Sequence, residues 1–125
     1  LKYNDWFTRA AFSIVVTEKI FVDSPALNSI EPHKQNPVII DARVARNGGC
    51  TFVHDGKTYR PSQSNTHGIY GRALNINEIE TLTINDYKES LITTVEPNFR
   101  KDLERVHHLH QIDGMYVFDA AYKRK

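Results

Sequence analysis

The residues with the plainest chemical potential are histidines, with His107, His108 and His110 in one run around Leu109. If the run is a strand, His108 and His110 project to one face as two ligands of a metal would, and His107 points away. A third ligand would have to come from elsewhere, such as Asp41 or His54, and no spacing guarantees one. The same imidazoles also suit contact with sugar hydroxyls, acid-base work, or plain packing and solvation. Arg43 and Arg46 form a second group, because guanidinium forks suit carboxylate, phosphate or vicinal hydroxyls in a dry cleft. The structural alternative is that one of them pairs with Asp41 or caps open carbonyls. Gly48-Gly49 beside them either lets a backbone approach a ligand or makes a turn needing φ > 0. No Gly-Lys-Ser follows, so a phosphate loop has no support.

Nucleophilic catalysis finds little footing. Cys50 and His54 share a strand face, but four residues along a strand span ~13 Å, too far for a thiolate-imidazole pair. Cys50 is expected to be a small buried hydrophobe. Ser62, Ser64 and Thr66 lie near His67 without the glycines of a nucleophile elbow. Glycoside hydrolysis needs two carboxylates ~5 to 9 Å apart. Glu78 and Glu80 fall late in a predicted strand, where a solvated edge is their expected place. Tyr59, Tyr70, Tyr116 and Phe118 suit stacking on sugar rings or filling gaps between packed sheets.

The elements that must position these groups are strands. Apolar residues rarely recur at three-and-four spacing, while β-branched and aromatic runs alternate with turn signals about every ten residues. Phe12 to Val16 and Lys19 to Val22 are predicted to flank Thr17-Glu18 as a hairpin. Asp23 to Asn28 reads as a loop, and Ile30 to His33 as a short edge strand before Pro37. Cys50 to His54 and Lys57 to Pro61 enclose Asp55-Gly56, the strongest short-range hairpin signal, because a type I′ turn needs φ > 0 at both central positions. A third strand is predicted near Gly71 to Ile79, with Leu74 and Ile76 on one face, and a fourth at Ser90 to Val95. Between them, Thr83 with Asp86 three residues later predicts a capped helical turn.

The hairpin recurs. Leu109 to Phe118, around Asp113-Gly114, repeats the pattern of Thr51 to Arg60 after 58 residues. That interval slightly exceeds the ~40 to 50 residues of common propeller blades. Four antiparallel strands from Cys50 to Val95 would make one blade, so the chain divides into the end of a blade at 1–36, a complete blade at 37–97 and the start of a third at 98–125. About two blades cannot close a ring that typically needs four or more. The fold class is therefore all-β: part of a propeller with four-stranded antiparallel blades or, if the repeat is accidental, a smaller sandwich.

Composition narrows the function classes. A length of 125 residues allows one domain or a piece of a larger one, and burying roughly two-thirds of its unfolded surface would give a real core. Sixteen Lys plus Arg balance fifteen Asp plus Glu, so bulk charge does not favour nucleic acid or an anionic membrane. One cysteine excludes an internal disulfide and a multi-cysteine zinc site. No run approaches the ~18 to 20 apolar residues of a membrane span. The start at Leu1, without a basic n-region or initiator Met, reads as a segment of a longer polypeptide rather than a signal peptide.

A resemblance emerges from Asn36 to Gly49, with Phe21 to Pro25, Pro32-His33, Tyr59 to Gln63, Tyr70 to Arg72, Leu82-Thr83 and Tyr87. Together, from about Ile20 to Phe118, they resemble the propeller domain found beside sugar-processing domains. It precedes the glycosyltransferase domain in plant glucosamine inositolphosphorylceramide transferases and occurs in bacterial formyltransferase-like proteins. The resemblance implies a five-bladed ring similar to arabinanase and fructosidase propellers, with inner strands lining a polar funnel. It places Asp41, Arg43 and Arg46 at the start of the Cys50 strand. Arg60 and Gln63 fall on its neighbour, and His107, His108 and His110 on the last inner strand. The ligand-binding set it implies is Arg43, Arg46, Arg60, Gln63, His108 and His110.

The implied function is a carbohydrate- or nucleotide-sugar-related module accompanying a transferase domain, its own activity undecided. The rival is an arabinanase- or fructosidase-like hydrolase in which Asp41 is catalytic and its partner carboxylates lie in other blades. A non-catalytic interaction scaffold is the third reading. No cofactor or resident metal is implied. Partners would be a sugar or sugar conjugate, the remaining blades and the transferase domain. Localisation would be cytoplasmic beside a formyltransferase-like domain and Golgi-lumenal in a plant-type transferase.

Overall fold

The computed structural model describes residues 17–18, 21–23 and 30–124, and their regular structure is all-β apart from one 3-10 turn at Thr66–Gly68. Four short strands come first: β1 (Thr17–Glu18), β2 (Phe21–Asp23), β3 (Ile30–Pro32) and β4 (Ile39–Ile40). β1 pairs antiparallel with β4 and β2 with β3. Thr17-Glu18 is thus not the expected turn. Both residues are extended, because their backbone groups find partners at Ile40 and Ile39. Phe12 to Val16 and residues 24–28 lie outside the described residues.

The centre is a four-stranded antiparallel meander of β5 (Phe52–His54), β6 (Lys57–Ser64), β7 (Ala73–Leu82) and β8 (Tyr87–Val95). Asp55 and Gly56 adopt φ of 48° and 73°, the two positive values a tight hairpin demands. Phe52 stands opposite Tyr59 and their rings stack with centroids 5.5 Å apart. Between β7 and β8 the expected helical turn is replaced by a tight loop. Thr83 Oγ1 accepts the amides of Asn85 and Asp86 at 3.2 and 2.9 Å, while Thr83 N–H donates to the Asp86 carbonyl at 2.9 Å. The capping chemistry expected of Thr83 is present, but the returning ladder leaves no room for a helical turn.

A second unit follows: β9 (Leu103–Arg105), β10 (Leu109–Ile112), β11 (Met115–Phe118) and β12 (Ala121–Tyr122). β10 pairs with β11 and β9 with β12, so the four form one long antiparallel ribbon with a break between Val106 and His108. Its turn repeats the first, with Asp113 and Gly114 at φ of 48° and 76°. The units meet where Gly49 bridges Leu109 in parallel and Leu109 N–H donates to the Gly48 carbonyl at 2.7 Å.

The central sheet is covered on both faces. On one, Leu74 packs with Val106 and Leu109, supported by Phe52 and Ile76. Phe52 also meets Tyr116 edge-on at 5.6 Å, tying the two hairpins together. The opposite face is polar and buried. Arg60, Ser62, Asn75 and Asn77 lie under residues 43–45, with Asn75 Nδ2 donating to the Arg43 carbonyl at 2.7 Å and Asn77 Nδ2 to Ser62 Oγ at 2.9 Å. Apolar burial alone does not hold this face; satisfied hydrogen bonds do. Cys50, expected inside, is exposed, because the chain crosses onto Leu109 at Gly49 and rejoins a strand only at Phe52.

Candidate functional site

Arg60 shows how the polar face is closed. Its side chain is 3% exposed and forms a two-pronged pair with Glu89: Nε to Oε2 and Nη2 to Oε1, both 2.7 Å. Nη2 also donates to the Val44 carbonyl at 2.8 Å, and the Tyr87 hydroxyl donates to Glu89. Burial, helped by the Glu89 carboxylate and opposed by Arg60, pushes the Tyr87 phenol above its ordinary value. Arg60 therefore braces β6, β8 and the turn at 41–45.

Asp41 organises that turn. Its Oδ1 accepts the Arg43 amide at 2.8 Å, and its carboxylate holds the Arg43 guanidinium through Nε and Nη2, the shortest contact being 2.7 Å. Those hydrogen bonds keep the Asp41 carboxyl below its usual value. Arg43 is largely exposed beyond this pair. The structural alternative weighed for Asp41 and Arg43 is thus the observed contact.

Arg46 differs from its neighbours. Arg43, Arg60 and Arg72 each hold a carboxylate, Arg72 through a pair of bonds to Glu96 at 2.6 and 2.7 Å. Arg46 instead lies over the Tyr70 ring at 4.7 Å, and its Nη2 donates to the Tyr70 hydroxyl at 3.3 Å. Its Nε is buried without a hydrogen-bond partner. Gln63 is its cross-strand neighbour, with Gln63 N–H donating to the Arg46 carbonyl at 2.7 Å. Gln63 is 5% exposed; its Nε2 donates to the Asn47 carbonyl and its Oε1 has no partner.

The histidine run reverses the expected alternation. β10 begins only at Leu109, because the Asp119 carboxylate takes the amides of His107 and His108 at 3.2 and 2.9 Å and interrupts the ladder. His107, expected to point away, turns toward the central sheet and meets Tyr70 edge-on at 5.6 Å. Its Nδ1 lies 2.5 Å from Asp119 Oδ2. Gly71, at φ 62°, makes the room, since a Cβ there would stand 2.8 Å from His107 Cβ. His108 and His110 are exposed and do not join this group. Among the described residues no three His, Cys, Asp or Glu side chains converge as metal ligands would.

The structure thus brings together Arg46, Gln63, Tyr70, His107 and Asp119, and leaves Asp41, Arg43, Arg60, His108 and His110 elsewhere. Asp119 was missed by sequence reasoning. The signal was present, because a two-residue turn at Asp113-Gly114 fixes the register and sets Asp119 opposite His108. Burial raises the Asp119 carboxyl, but the His107 ring and the two amides outweigh it and hold the group below 3.8, the ordinary value. A carboxyl that ionises more readily folded than unfolded stabilises the fold above the unfolded value and loses that contribution as pH falls through the folded one. Lowering pH from about 5 to about 3 should therefore depress the melting temperature more in the wild type than in Asp119→Asn, as thermal unfolding across that range would measure.

A family model, the N-terminal domain of glucosamine inositolphosphorylceramide transferase 1, matches residues 5–117. The chain belongs to this family. Glucosamine inositolphosphorylceramide transferase 1 of Oryza sativa subsp. japonica is 38% identical over 85 residues, which cover 66% of this chain and 11% of the rice protein. The Arabidopsis thaliana protein of that name is 37% identical over 73 residues, covering 57% of this chain and 9% of its own length. The chain thus spans about a tenth of the curated relatives it matches. No solved structure matches. Among the described residues no helix is long and apolar enough to cross a membrane.

Several motifs that carried the resemblance touch one another. His33 Nε2 donates to the Thr83 carbonyl at 2.8 Å, its Nδ1 accepting the Gln35 amide, and Gln35 Oε1 accepts the Tyr87 amide at 2.8 Å. These contacts pin the segment before β4 to the β7–β8 turn. Much of the N-terminal family pattern in this chain is architectural.

Proposed function

We propose that this chain is a carbohydrate-related module of a larger transferase, contributing about two wedges of a five-bladed ring. These would be the end of one wedge at 1–36, a complete wedge at 37–97 and the start of another at 98–125. The relatives are named for glucosamine and inositolphosphorylceramide, so a sugar or sugar conjugate is the ligand class. The observation that carries the reading is Arg46, a guanidinium with no carboxylate partner among the described residues, seated on an aromatic ring beside Gln63 and His107. Sugar-conjugate sites combine such an aromatic platform with a few oriented polar groups.

Two further observations support the ring. The meander is covered on both faces by different parts of the chain, as a blade between blades would be. Ile112, Met115 and Val117 are exposed on one face of the last hairpin, the apolar surface that a following sheet would cover.

The test is an array of sugars, sugar phosphates and nucleotide sugars against the full-length protein. Arg46→Ala should abolish binding while leaving the melting temperature nearly unchanged. A blank array for the wild type would refute the reading, and a large stability loss in Arg46→Ala would make Arg46 architectural.

A further inference from the structure

We infer that Arg46, Tyr70 and His107 form a binding site for a phosphate ester, with Asp119 as the positioning residue for His107. The inference rests on the sugar-conjugate reading above and names the part of the conjugate this cluster would hold.

The first ground is charge. Around the central sheet three arginines are neutralised by carboxylates, whereas Arg46 has, among the described residues, only the face and hydroxyl of Tyr70. An arginine seated this way still offers Nη1 and the second hydrogen of Nη2 to an oxyanion, and phosphate matches that pair of donors better than a neutral hydroxyl does.

The second ground is the imidazole. Asp119 fixes the Nδ1 side of His107, and the same carboxylate is itself held by two backbone amides. The ring cannot slide away, because Gly71 packs against it on one side and Tyr70 meets it edge-on. His107 is 33% exposed, and its Nε2 has no partner among the described residues. An imidazole held at Nδ1 by a carboxylate presents Nε2 outward, and on protonation that nitrogen becomes a second donor for an anion.

The third ground is position. Arg46 and Tyr70 flank the central sheet, while His107 and Asp119 belong to the second unit, so the cluster forms only where the two units meet. A ligand bridging Arg46 and His107 would clamp them together. Interfaces between packed units are where such sites concentrate. The charged and titratable groups around His107 are Asp119 on its own ribbon and Tyr70, whose ring also carries Arg46.

The experiment is calorimetric titration of the full-length protein with glucose 1-phosphate, glucose and inorganic phosphate. Glucose 1-phosphate is expected to bind, and glucose about ten- to a hundredfold more weakly, the worth of a charge-assisted pair. Inorganic phosphate should compete with glucose 1-phosphate. Arg46→Lys should lose about tenfold, since a point charge cannot reproduce the fork. His107→Gln should weaken ester binding about tenfold while leaving glucose binding unchanged, and Asp119→Asn should lower the same ester-over-glucose preference by less.

Glucose and glucose 1-phosphate binding equally well, both through Arg46, would overturn the phosphate assignment and leave the sugar reading intact. Absence of binding by all three probes would overturn it too. So would an ester-over-glucose preference unchanged in both variants, even if their melting temperatures fell, because a purely structural role moves stability alone.

Discussion

Arg60→Ala should destabilise the protein by about 3 to 5 kcal/mol, the cost of stranding a buried charge, here the Glu89 carboxylate. The loss is large for three connected reasons. Glu89 is itself 9% exposed, so water cannot replace the guanidinium. The Val44 carbonyl loses its 2.8 Å donor, and the Tyr87 hydroxyl is left on an unpaired carboxylate. Replacing both charges, as in Arg60→Met with Glu89→Leu, should recover part of the loss, since well-packed apolar groups can substitute for a buried pair. Urea unfolding of the three proteins checks this. A loss below about 1 kcal/mol for Arg60→Ala would show that the pair is not buried as described.

Gly49→Ala should cost about 3 kcal/mol or more, and its damage should centre on the join between the two units. Gly49 has φ of 142°, a conformation that side-chain-bearing residues rarely adopt, and a Cβ there would lie 1.8 Å from the Leu109 carbonyl oxygen. That atom is backbone and cannot swing aside. The parallel bridge to Leu109 and the Leu109 N–H bond to Gly48 would both have to open. Native-state hydrogen exchange should show the Leu109 amide losing its protection, while the β6–β7 ladder keeps most of its own. Gly56→Ala is the internal control. It shares positive φ but meets nothing within 4 Å, so it should pay only the backbone term, about 1 kcal/mol.

The hairpins were legible in the sequence because their cause is local. Asp55-Gly56 and Asp113-Gly114 carry their own backbone requirement, and the register of each ladder follows from a two-residue turn. The polar interior was not legible, because its pairings are remote in sequence. Arg60 reads as a ligand residue until Glu89, 29 positions on, is seen to close on it. His107 was set aside because strand alternation was carried through a position where Asp119 breaks the ladder. Arg46 and Gln63 were named for a site from the resemblance, and their backbones are cross-strand partners. Sequence also misjudged Thr83, whose hydroxyl caps amides in a hairpin loop with the same chemistry it would use at a helix start.

An experimental structure of the full-length protein is the most direct trial. A further sheet should pack over Ile112, Met115 and Val117, with five sheets around one axis and Arg46, Tyr70 and His107 turned toward that axis. A closed body that leaves those hairpin residues in solvent, with Arg46 and His107 facing away from any shared cavity, would contradict it.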